Sequence, residues 1–479
     1  MSIAVRTPTM PAPFARFLFL CLLSGFVRAE TVLPAPVQEA LNRASIPRDA
    51  VAVWIQDLEA PRPIVTHRVD AAMNPASVMK LVTSQAALEL LGPTYVWRTR
   101  ITSTAPLRRG VLDGDLAITA SGDPRLSRER LWLLLRDLRM AGVSRIAGDV
   151  ITDRSVFSLP PYDPGAFDQR PLRPYNAPAD ALSVDYSALR LRISPTTDGA
   201  IVRSEPLPAG LSLVSRIRRN AGPCADPSAG LSAGVEIADA GTRLVLDGFL
   251  PQDCTAPFDW NVAPLTPARL FEGLFRSLWA EMGGTLDGRF RDGPTPDGGA
   301  VLAESVSPAL PEVLRDMNKW SNNVIARQLF ATLGAVTEPG ADSLAAGARA
   351  CRTALQAAGI ETRTLVMENG SGLSRSERAS AALLGQLLIR AWHSPTMPEL
   401  IASLPIAGRD GTARRRLAGS TTAGFAHVKT GTLDDVRSLA GYVLARNGRR
   451  YGVVLLINHP NASAARGAQD ALLEWVANL

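Results

Sequence analysis

Lysine is almost missing from this chain: Lys80, Lys319 and Lys429 are its only three in 479 residues. The other 48 of its 51 basic side chains are arginine. A bias toward arginine replaces lysine wherever any cation suffices. The lysines that remain are therefore candidates for chemistry that arginine cannot perform, because an amine can give up its proton at accessible pH.

Other residue types that would mark a function are also scarce or dispersed. The chain has four histidines, widely separated and without the spacing of metal ligands. We therefore expect no metal and no other cofactor. The net charge is +6, but the arginines are scattered and no basic stripe carries interleaved aromatics, which argues against nucleic acid as a partner.

Long apolar runs are absent beyond the N-terminus, where Arg6 and Arg16 lead into a short apolar stretch that ends at Val27-Arg28-Ala29. A charged start, a short apolar run and a small residue at the cut are typical of a secretory signal. We expect residues 1–29 to be removed and the mature chain to be periplasmic and soluble. No later stretch approaches the roughly 18 apolar residues of a membrane anchor.

Cysteine is scarce as well. Four are present, and Cys21 lies within the predicted signal. Cys224 and Cys254 lie in loop sequence rich in proline and aspartate, and in an oxidising compartment we expect a disulfide between them. Cys351 lies in an alanine-rich helical stretch and is interpreted as a buried small apolar residue.

The length of the chain predicts two or three domains. Residues 77–91 are apolar on nearly all sides, which predicts a helix buried inside a domain. Residues 51–57, 426–432, 437–446 and 450–458 read as strands, and Asn447-Gly448 predicts a hairpin between the last two. Helical periodicity covers 310–333, 341–358, 379–392 and 463–476. Residues 99–300 instead alternate short strand-like runs with turns, with one helix near 127–141. They are interpreted as one or two inserted strand-rich domains, with two subdomains favoured.

Two of the three lysines lie in short motifs with chemical meaning. In Ser77-Val78-Met79-Lys80, helical spacing places the hydroxyl and the amine on one face, where a neutral lysine can activate the serine. Burial and a second cation would both favour that neutral form. Taken alone, the pair is weak, since Ser77 can equally be an ordinary serine in the first turn of a helix.

The second lysine motif is Lys429-Thr430-Gly431, followed by Thr432, on a strand-like segment. An amine and hydroxyls at a strand edge can hold a carboxylate beside an extended peptide, and glycine lets a backbone approach closely. A solvated lysine on an edge strand is the alternative. A third triplet, Ser321-Asn322-Asn323, could relay a proton and bind an amide, although by itself it is equally compatible with a loop or a helix cap.

In chain order these motifs form the S-x-x-K, S-x-N and K-T-G set known from β-lactamases and penicillin-binding proteins. The chain resembles the serine D-alanyl-D-alanine carboxypeptidase/endopeptidase family, the class C low-molecular-mass penicillin-binding proteins. The likeness extends to Asn369-Gly370-Ser371-Gly372-Leu373-Ser374-Arg375 and to the 244 residues between Ser77 and Ser321, which leave room for that family's insertions.

The resemblance implies an α+β fold of the penicillin-binding and serine β-lactamase type. That fold has a five-stranded antiparallel sheet flanked by helices, an all-helical subdomain and large strand-rich insertions. The catalytic part would comprise residues 30–98 and 301–479, with 99–300 inserted.

The resemblance also implies roles for individual residues. Ser77 would be the acylated nucleophile and Lys80 its general base, with the backbone N–H groups of Ser77 and Thr432 as the oxyanion hole. The remaining members would relay protons or hold substrate, namely Ser321, Asn323, Lys429, Thr430, Gly431, Thr432 and Arg375. Some relatives place an acid before Asn176 that holds a diaminopimelyl amine, and Asp168 does not align securely with that position.

The implied function is an exported peptidase acting on peptidoglycan stem peptides and acylated by β-lactam antibiotics. Two alternatives remain at this stage. A β-lactamase shares the acylating groups but not the long insertion, and a catalytically idle wall-binding protein would tend to lose motif residues that are all present here.

Overall fold

The computed structural model describes residues 32–238 and 241–479. The predicted signal segment 1–29 therefore lies outside the described residues. Across the described part of the chain, each helix is too short or too polar to cross a bilayer.

The helices include two that the sequence pattern did not predict. In chain order the helices are α1 (Ala35–Arg43), α2 (Lys80–Leu90), α3 (Arg128–Met140), α4 (Pro267–Glu281), α5 (Leu310–Trp320), α6 (Asn323–Thr337), α7 (Ser343–Ala357), α8 (Ala381–Trp392), α9 (Met397–Ser403) and α10 (Arg466–Ala477). The two helices that were not predicted are α4 and α9.

The strands cluster at the two ends of the chain and in its middle third. They are β1 (Val51–Asp57), β2 (Val65–His67), β3 (Arg98–Ser103), β4 (Leu107–Arg108), β5 (Val111–Leu112), β6 (Leu116–Ala120), β7 (Arg145–Ile146), β8 (Val150–Asp153), β9 (Leu189–Pro195), β10 (Ala200–Arg203), β11 (Leu211–Asn220), β12 (Leu231–Ala238), β13 (Gly241–Pro251), β14 (Phe258–Val262), β15 (Thr285–Leu286), β16 (Phe290–Asp292), β17 (Ala300–Val306), β18 (Ala426–Leu433), β19 (Val436–Leu444) and β20 (Arg450–Asn458).

A five-stranded antiparallel sheet, in the order β18-β19-β20-β1-β2, joins the two ends of the chain. Alternate residues of its strands enter different cores, because successive side chains point to opposite faces. Val53 and Val453 pack in the core that includes α1 and α10, whereas Trp54 and Val454 pack in the core that includes α2 and α8. Both faces of the sheet are therefore buried, and helices flank it as predicted.

Helix α2 lies at the centre of the helical part and contacts α5, α6, α7 and α8. Every residue from Lys80 to Leu88 is buried. The prediction of a buried helix is confirmed. Its start differs from the prediction, because Ala76–Met79 form a tighter 3₁₀ turn and the α-helix begins only at Lys80.

The predicted helical stretch 310–333 is interrupted, and the prediction of one continuous helix is wrong. Helix α5 ends where Ser321 adopts a left-handed conformation, with φ of 55°. Asn322 then caps the next helix, since its side-chain oxygen accepts a hydrogen bond from the backbone N–H of Ile325. This break leaves Ser321 and Asn323 at the junction of two helices instead of on the side of one.

The strands from β3 to β17 form four further sheets between Arg98 and Val306. Helices α3 and α4 share a core with several of these strands, and Ala331 and Ala335 of α6 join it. The middle region is thereby packed against the helix that begins with Asn323. A disulfide joins Cys224 and Cys254, in the loops that follow β11 and β13, and Cys351 is a buried free thiol in α7.

Candidate active site

Ser77 lies in the short turn that precedes α2 and is half-buried at the floor of a cleft. Its backbone is held by a close-packed loop. A Cβ added at Gly372 would lie 1.9 Å from the carbonyl oxygen of Ala76, so only glycine fits there. Ala76 itself has a positive φ of 44°, a conformation that few non-glycine residues adopt. The chain therefore fixes the position of the serine before any substrate arrives.

Lys80 is completely buried, and its amine contacts three oxygen atoms. Lys80 Nζ lies 3.0 Å from Ser77 Oγ and 2.7 Å from Asn323 Oδ1, and it also donates to the carbonyl oxygen of Ser371. The amide and carbonyl oxygens only accept hydrogen bonds. A neutral amine must therefore direct its two N–H groups at Asn323 and Ser371, which leaves its lone pair facing the hydroxyl of Ser77.

The surroundings of Lys80 favour that neutral amine. Burial lowers the pKa of Lys80 well below its usual value, and the nearby charge of Lys429 lowers it further. Glu377 acts in the opposite direction, since its charge raises the pKa of Lys80, while Arg327 lowers it again. Desolvation is the largest of these effects because an ammonium loses its hydration when it is buried.

Lys429 is the second fully buried lysine, on the outermost strand β18. Its Nζ donates hydrogen bonds to Ser321 Oγ at 2.9 Å and to the carbonyl oxygen of Thr430 at 2.8 Å. Burial lowers the pKa of Lys429 to about 7. Ser321 is therefore hydrogen-bonded to an amine that loses its positive charge as the pH rises through about 7.

Glycine is required at position 431 for a different reason from the one that the sequence suggests. A Cβ at this position would lie 2.1 Å from Ser438 Oγ and 2.6 Å from the carbonyl oxygen of Pro75. The missing side chain thus allows β18 to pack against the segment that carries Ser77. The sequence predicts that this glycine admits a substrate backbone, but the space beside its Cα is filled by Ser438 and Pro75.

Two adjoining cavities open on this cluster, and Ser77, Ser321 and Thr432 line both. The larger has a volume of about 800 Å³ and includes Asn323 and Arg375. The smaller has a volume of about 530 Å³ and includes Thr430. The structure therefore brings Ser77, Lys80, Ser321, Asn323 and Lys429 together, with Thr430, Thr432 and Arg375 along the rim.

Arg375 lines the larger cavity and is exposed, whereas Ser77 and Ser321 are half-buried. Its guanidinium stacks over the ring of Phe167 and lies 3.3 Å from a carboxylate oxygen of Asp435. Asp168 lines the same cavity and accepts hydrogen bonds from the Tyr175 hydroxyl and the Asn176 side chain. The acid that sequence alignment could not place is thus beside the site.

Three contributors to the site were not recognised in the sequence. One is the carbonyl of Ser371, and the second is Glu377, a fully buried acid that accepts backbone N–H groups of the same loop. The third is Arg327 of α6, which donates to the carbonyls of Tyr175 and Ala177. A charged residue inside an apolar helix was the one available signal for Arg327. No motif spacing marks the other two.

The third lysine has a structural role. Lys319 Nζ lies 2.6 Å from a carboxylate oxygen of Asp410, and the same acid accepts the backbone N–H of Ile406. The pair attaches the end of α5 to the loop that leads to Thr412. It therefore helps to hold the wall of the smaller cavity and does not touch Ser77.

The fold and this cluster already define a class of protein. A helix that presents a serine to a buried lysine, next to an edge strand carrying a second lysine, is the arrangement of enzymes that form an acyl-enzyme on serine. Residues 33–479 match the model of the D-Ala-D-Ala carboxypeptidase 3 (S13) family, and the chain belongs to that family.

Individual relatives agree with this assignment. The chain is 31% identical over 416 residues to a D-alanyl-D-alanine carboxypeptidase of Actinomadura sp. (strain R39), covering 83% of this chain and 76% of the relative. It is 28% identical over 389 residues to D-alanyl-D-alanine carboxypeptidase DacB of Haemophilus influenzae, covering 80% of each.

A solved structure matches the fold along most of its length. The crystal structure of penicillin-binding protein 4 (dacB) from Haemophilus influenzae superposes with a TM-score of 0.76 at 25% identity. The match covers 92% of this chain and 99% of that chain. The predicted family and the predicted fold class are confirmed.

Proposed function

We propose that this protein is an exported serine peptidase that cleaves the D-alanyl-D-alanine bond of peptidoglycan stem peptides through an acyl-enzyme on Ser77. The observation that carries the proposal is the position of Lys80, whose lone pair faces the Ser77 hydroxyl because Asn323 and Ser371 accept both of its N–H groups. Membership in the carboxypeptidase family supports the same reaction.

In the first step, Lys80 removes the proton from Ser77 Oγ while that oxygen attacks the carbonyl carbon of the penultimate D-alanine. The negative charge that develops on the carbonyl oxygen is stabilised by the backbone N–H groups of Ser77 and Thr432. One such donor typically lowers the barrier by about 3–4 kcal/mol. The C–N bond then breaks, the departing amine receives a proton through Lys80 or Ser321, and an ester remains on Ser77.

In the second step, water attacks the ester carbonyl and Lys80 accepts its proton. Ser77 leaves as the alcohol and takes the proton back, so that the shortened peptide departs with a new carboxylate. The same two steps on the amide of a cross-link make the enzyme an endopeptidase. Penicillin, which imitates the terminal dipeptide, acylates the same oxygen.

Substrate is held on both sides of the bond to be cleaved. Asn323 binds an amide of the acyl half, and Arg375 contacts its side chain in the larger cavity. Lys429, Thr430 and Thr432 bind the carboxylate that follows the bond. The outermost position of β18 supports this arrangement, since an edge strand can pair with an extended peptide.

The catalytic unit in this proposal comprises residues 30–98 and 301–479, and residues 99–300 form the inserted region. The separate sheets of the middle region support this division, although its core also takes in Ala331 and Ala335 of α6. Export by a signal over residues 1–29 would place the enzyme in the periplasm, beside its substrate.

The test is acylation by a fluorescent penicillin. Wild-type protein should be labelled, Ser77→Ala should not, and both should show the same circular dichroism and melting temperature. Ser228→Ala, which removes an exposed hydroxyl in the inserted region, is the matched control and should be labelled normally. Labelling of Ser77→Ala would show that another residue is the nucleophile, and rapid loss of the adduct within seconds would favour a β-lactamase.

A further inference from the structure

The smaller cavity beside Ser77 is lined by an unusual number of cations. Five arginines contribute to its wall, and no aspartate or glutamate does. They are Arg414, Arg415, Arg416, Arg437 and Arg466. The volume of about 530 Å³ is in the range of cavities that bind a whole small molecule or a peptide segment. A single carboxylate would leave most of this space and charge unused.

Three of these arginines form ion pairs or hydrogen bonds with other residues of the protein. Arg416 pairs with Asp470 and donates to Gln469 at 2.9 Å, and Arg466 approaches the same Asp470 at 3.6 Å. Arg437 donates to two backbone carbonyls at the β18–β19 turn. Each of these three guanidinium groups therefore spends part of its hydrogen-bonding capacity on the cavity wall itself.

The other two, Arg414 and Arg415, are exposed. In residues 32–238 and 241–479, neither guanidinium has a carboxylate within ion-pair distance. The main-chain oxygen of Arg415 accepts a hydrogen bond from Arg466 at 2.6 Å, so the segment itself is held in place. Two adjacent, unpaired guanidinium groups on an anchored segment are well suited to bind carboxylates, which they can meet with two parallel hydrogen bonds.

The position of this cavity relative to Ser77 identifies the part of a substrate that it receives. The larger cavity contains Asn323 and Arg375, which hold the acyl half. The smaller one contains Thr430 and Thr412, whose hydroxyl oxygens lie 3.4 Å apart on the carboxylate-binding side. That carboxylate belongs to the group that leaves when the bond breaks. The arginines therefore surround the leaving group.

We propose that the arginine-lined cavity is a subsite for a leaving group with several carboxylates, and that it directs the enzyme toward cross-linked stem peptides. This inference rests on the proposed peptidase function. Released D-alanine carries one carboxylate, for which Lys429, Thr430 and Thr432 suffice. In a cross-link the leaving amine belongs to a second stem peptide, which carries additional carboxylates and extends beyond Thr430 toward Arg414 and Arg415.

Three substrates with the same acyl half test this subsite. The first is a pentapeptide that releases D-alanine, and the second is a cross-linked peptide dimer. The third is the same dimer with the carboxylates of its leaving half converted to amides. The measured quantity is kcat/KM for each substrate at low and at high ionic strength, for wild type and for Arg414→Gln/Arg415→Gln.

In the double variant, the ratio of dimer cleavage to D-alanine release should fall about two- to thirtyfold at low salt, the size expected for two solvent-exposed ion pairs. The loss should lie mainly in KM, because these contacts exist before and during the reaction. Salt should weaken the wild-type preference. Arg108→Gln/Arg109→Gln removes an adjacent exposed pair that lines neither cavity, and should leave the ratio unchanged.

The outcomes separate the subsite from the reaction. An active wild type whose dimer ratio is unaffected by Arg414→Gln/Arg415→Gln would overturn the subsite alone. An equal loss on the amidated dimer would also overturn it, because the effect would not depend on carboxylates. A wild type that cleaves none of the three substrates would overturn the proposed function and the subsite together.

Discussion

The side-chain oxygen of Asn323 lies 2.7 Å from Lys80 Nζ, although 243 residues separate the two in sequence. The contact joins the start of α6 to the start of α2. Because the amide oxygen can only accept, it fixes one N–H of the amine and so helps to set where the lone pair points. The reactivity of Ser77 then depends on Asn323, which is remote in sequence and acts on the serine through Lys80.

Replacing Asn323 with alanine should therefore slow acylation. We expect a 10- to 100-fold drop in the rate of penicillin labelling, of the order seen when one positioned hydrogen bond of a catalytic group is removed. Asn322→Ala is the matched control, since Asn322 caps α6 and should cost about 1 kcal/mol of stability while labelling continues at the wild-type rate. Stopped-flow labelling and chemical unfolding measure the two effects. Equal labelling rates in both variants would contradict the assignment.

Lys80 and Lys319 should respond differently to replacement by arginine. Lys80→Arg should lower acylation by about 10²- to 10⁴-fold, because a guanidinium cannot act as a general base at accessible pH. Lys319→Arg should retain acylation, since an arginine can still pair with Asp410. Single-turnover kinetics with a chromogenic β-lactam compares them. Loss of acylation in Lys319→Arg with an unchanged fold would show that this lysine does more than hold the loop.

The pH dependence of peptide cleavage should be bell-shaped. Lys80 must be neutral to accept a proton, so kcat/KM rises as pH increases through its pKa, which burial and then Lys429 hold well below the usual lysine value. Lys429 must be charged to hold a carboxylate, and burial lowers its pKa to about 7, so kcat/KM should fall above that pH. Lys429→Arg should remove the falling limb. A wild-type profile still rising at pH 9 would be inconsistent with this account.

Glu377 provides a separate test of the charge on Lys80. One of its carboxylate oxygens accepts the backbone N–H groups of Glu368, Asn369 and Gly370, each at 3.0 Å. Burial raises the pKa of Glu377, whereas the three N–H groups and Lys80 lower it. In its ionised form Glu377 raises the pKa of Lys80, so Glu377→Gln should move the rising limb of the pH profile to lower pH.

The matched variant is Glu377→Ala, which removes the acceptor as well as the charge. It leaves the three buried N–H groups without a partner and should lower the melting temperature, at a cost of about 1–3 kcal/mol for each unsatisfied donor. Glu377→Gln keeps an oxygen in that position and should melt closer to wild type. If the melting temperature fell in both variants and the rising limb of the pH profile did not move, Glu377 would have only a structural role.

The predicted disulfide can be tested by counting free thiols before and after reduction. Protein that begins at residue 30 should show one free thiol when denatured without reductant and three with it, because Cys224 and Cys254 are joined and Cys351 is buried. For a separation of 30 residues, loop-closure entropy predicts about 3–4 kcal/mol of stabilisation. Three thiols before reduction would show that the bond does not form. Unfolding of Cys224→Ser/Cys254→Ser measures the stabilisation.

The local parts of the fold could be predicted because short-range physics determines them. The apolar character of α2 on all sides indicated burial, and Asn447-Gly448 indicated the hairpin between β19 and β20. The break at Ser321 was not predicted, since the helical pattern continues on both sides and the left-handed conformation of Ser321 leaves no mark in that pattern.

The motifs likewise indicated the residues of the site but not all of its surroundings. Ser77 and Lys80 were recognisable because helical spacing alone brings them into contact. The carbonyl of Ser371, the acid at Glu377 and the space reserved at Gly431 depend on loops that meet from distant parts of the chain. No spacing rule connects them.

The sequence by itself determined which groups the proposed mechanism uses: a serine with a lysine one helical turn later and a second lysine on a strand, in a chain with only one other lysine. Tertiary structure alone decided their reactivity. It buried both amines, which lowers their pKa values, and placed Asn323 and Ser371 to orient one of them. It also gathered five arginines on one side of the nucleophile. Desolvation and electrostatic fields depend on everything that surrounds a group in space, and that environment is assembled only when the chain folds.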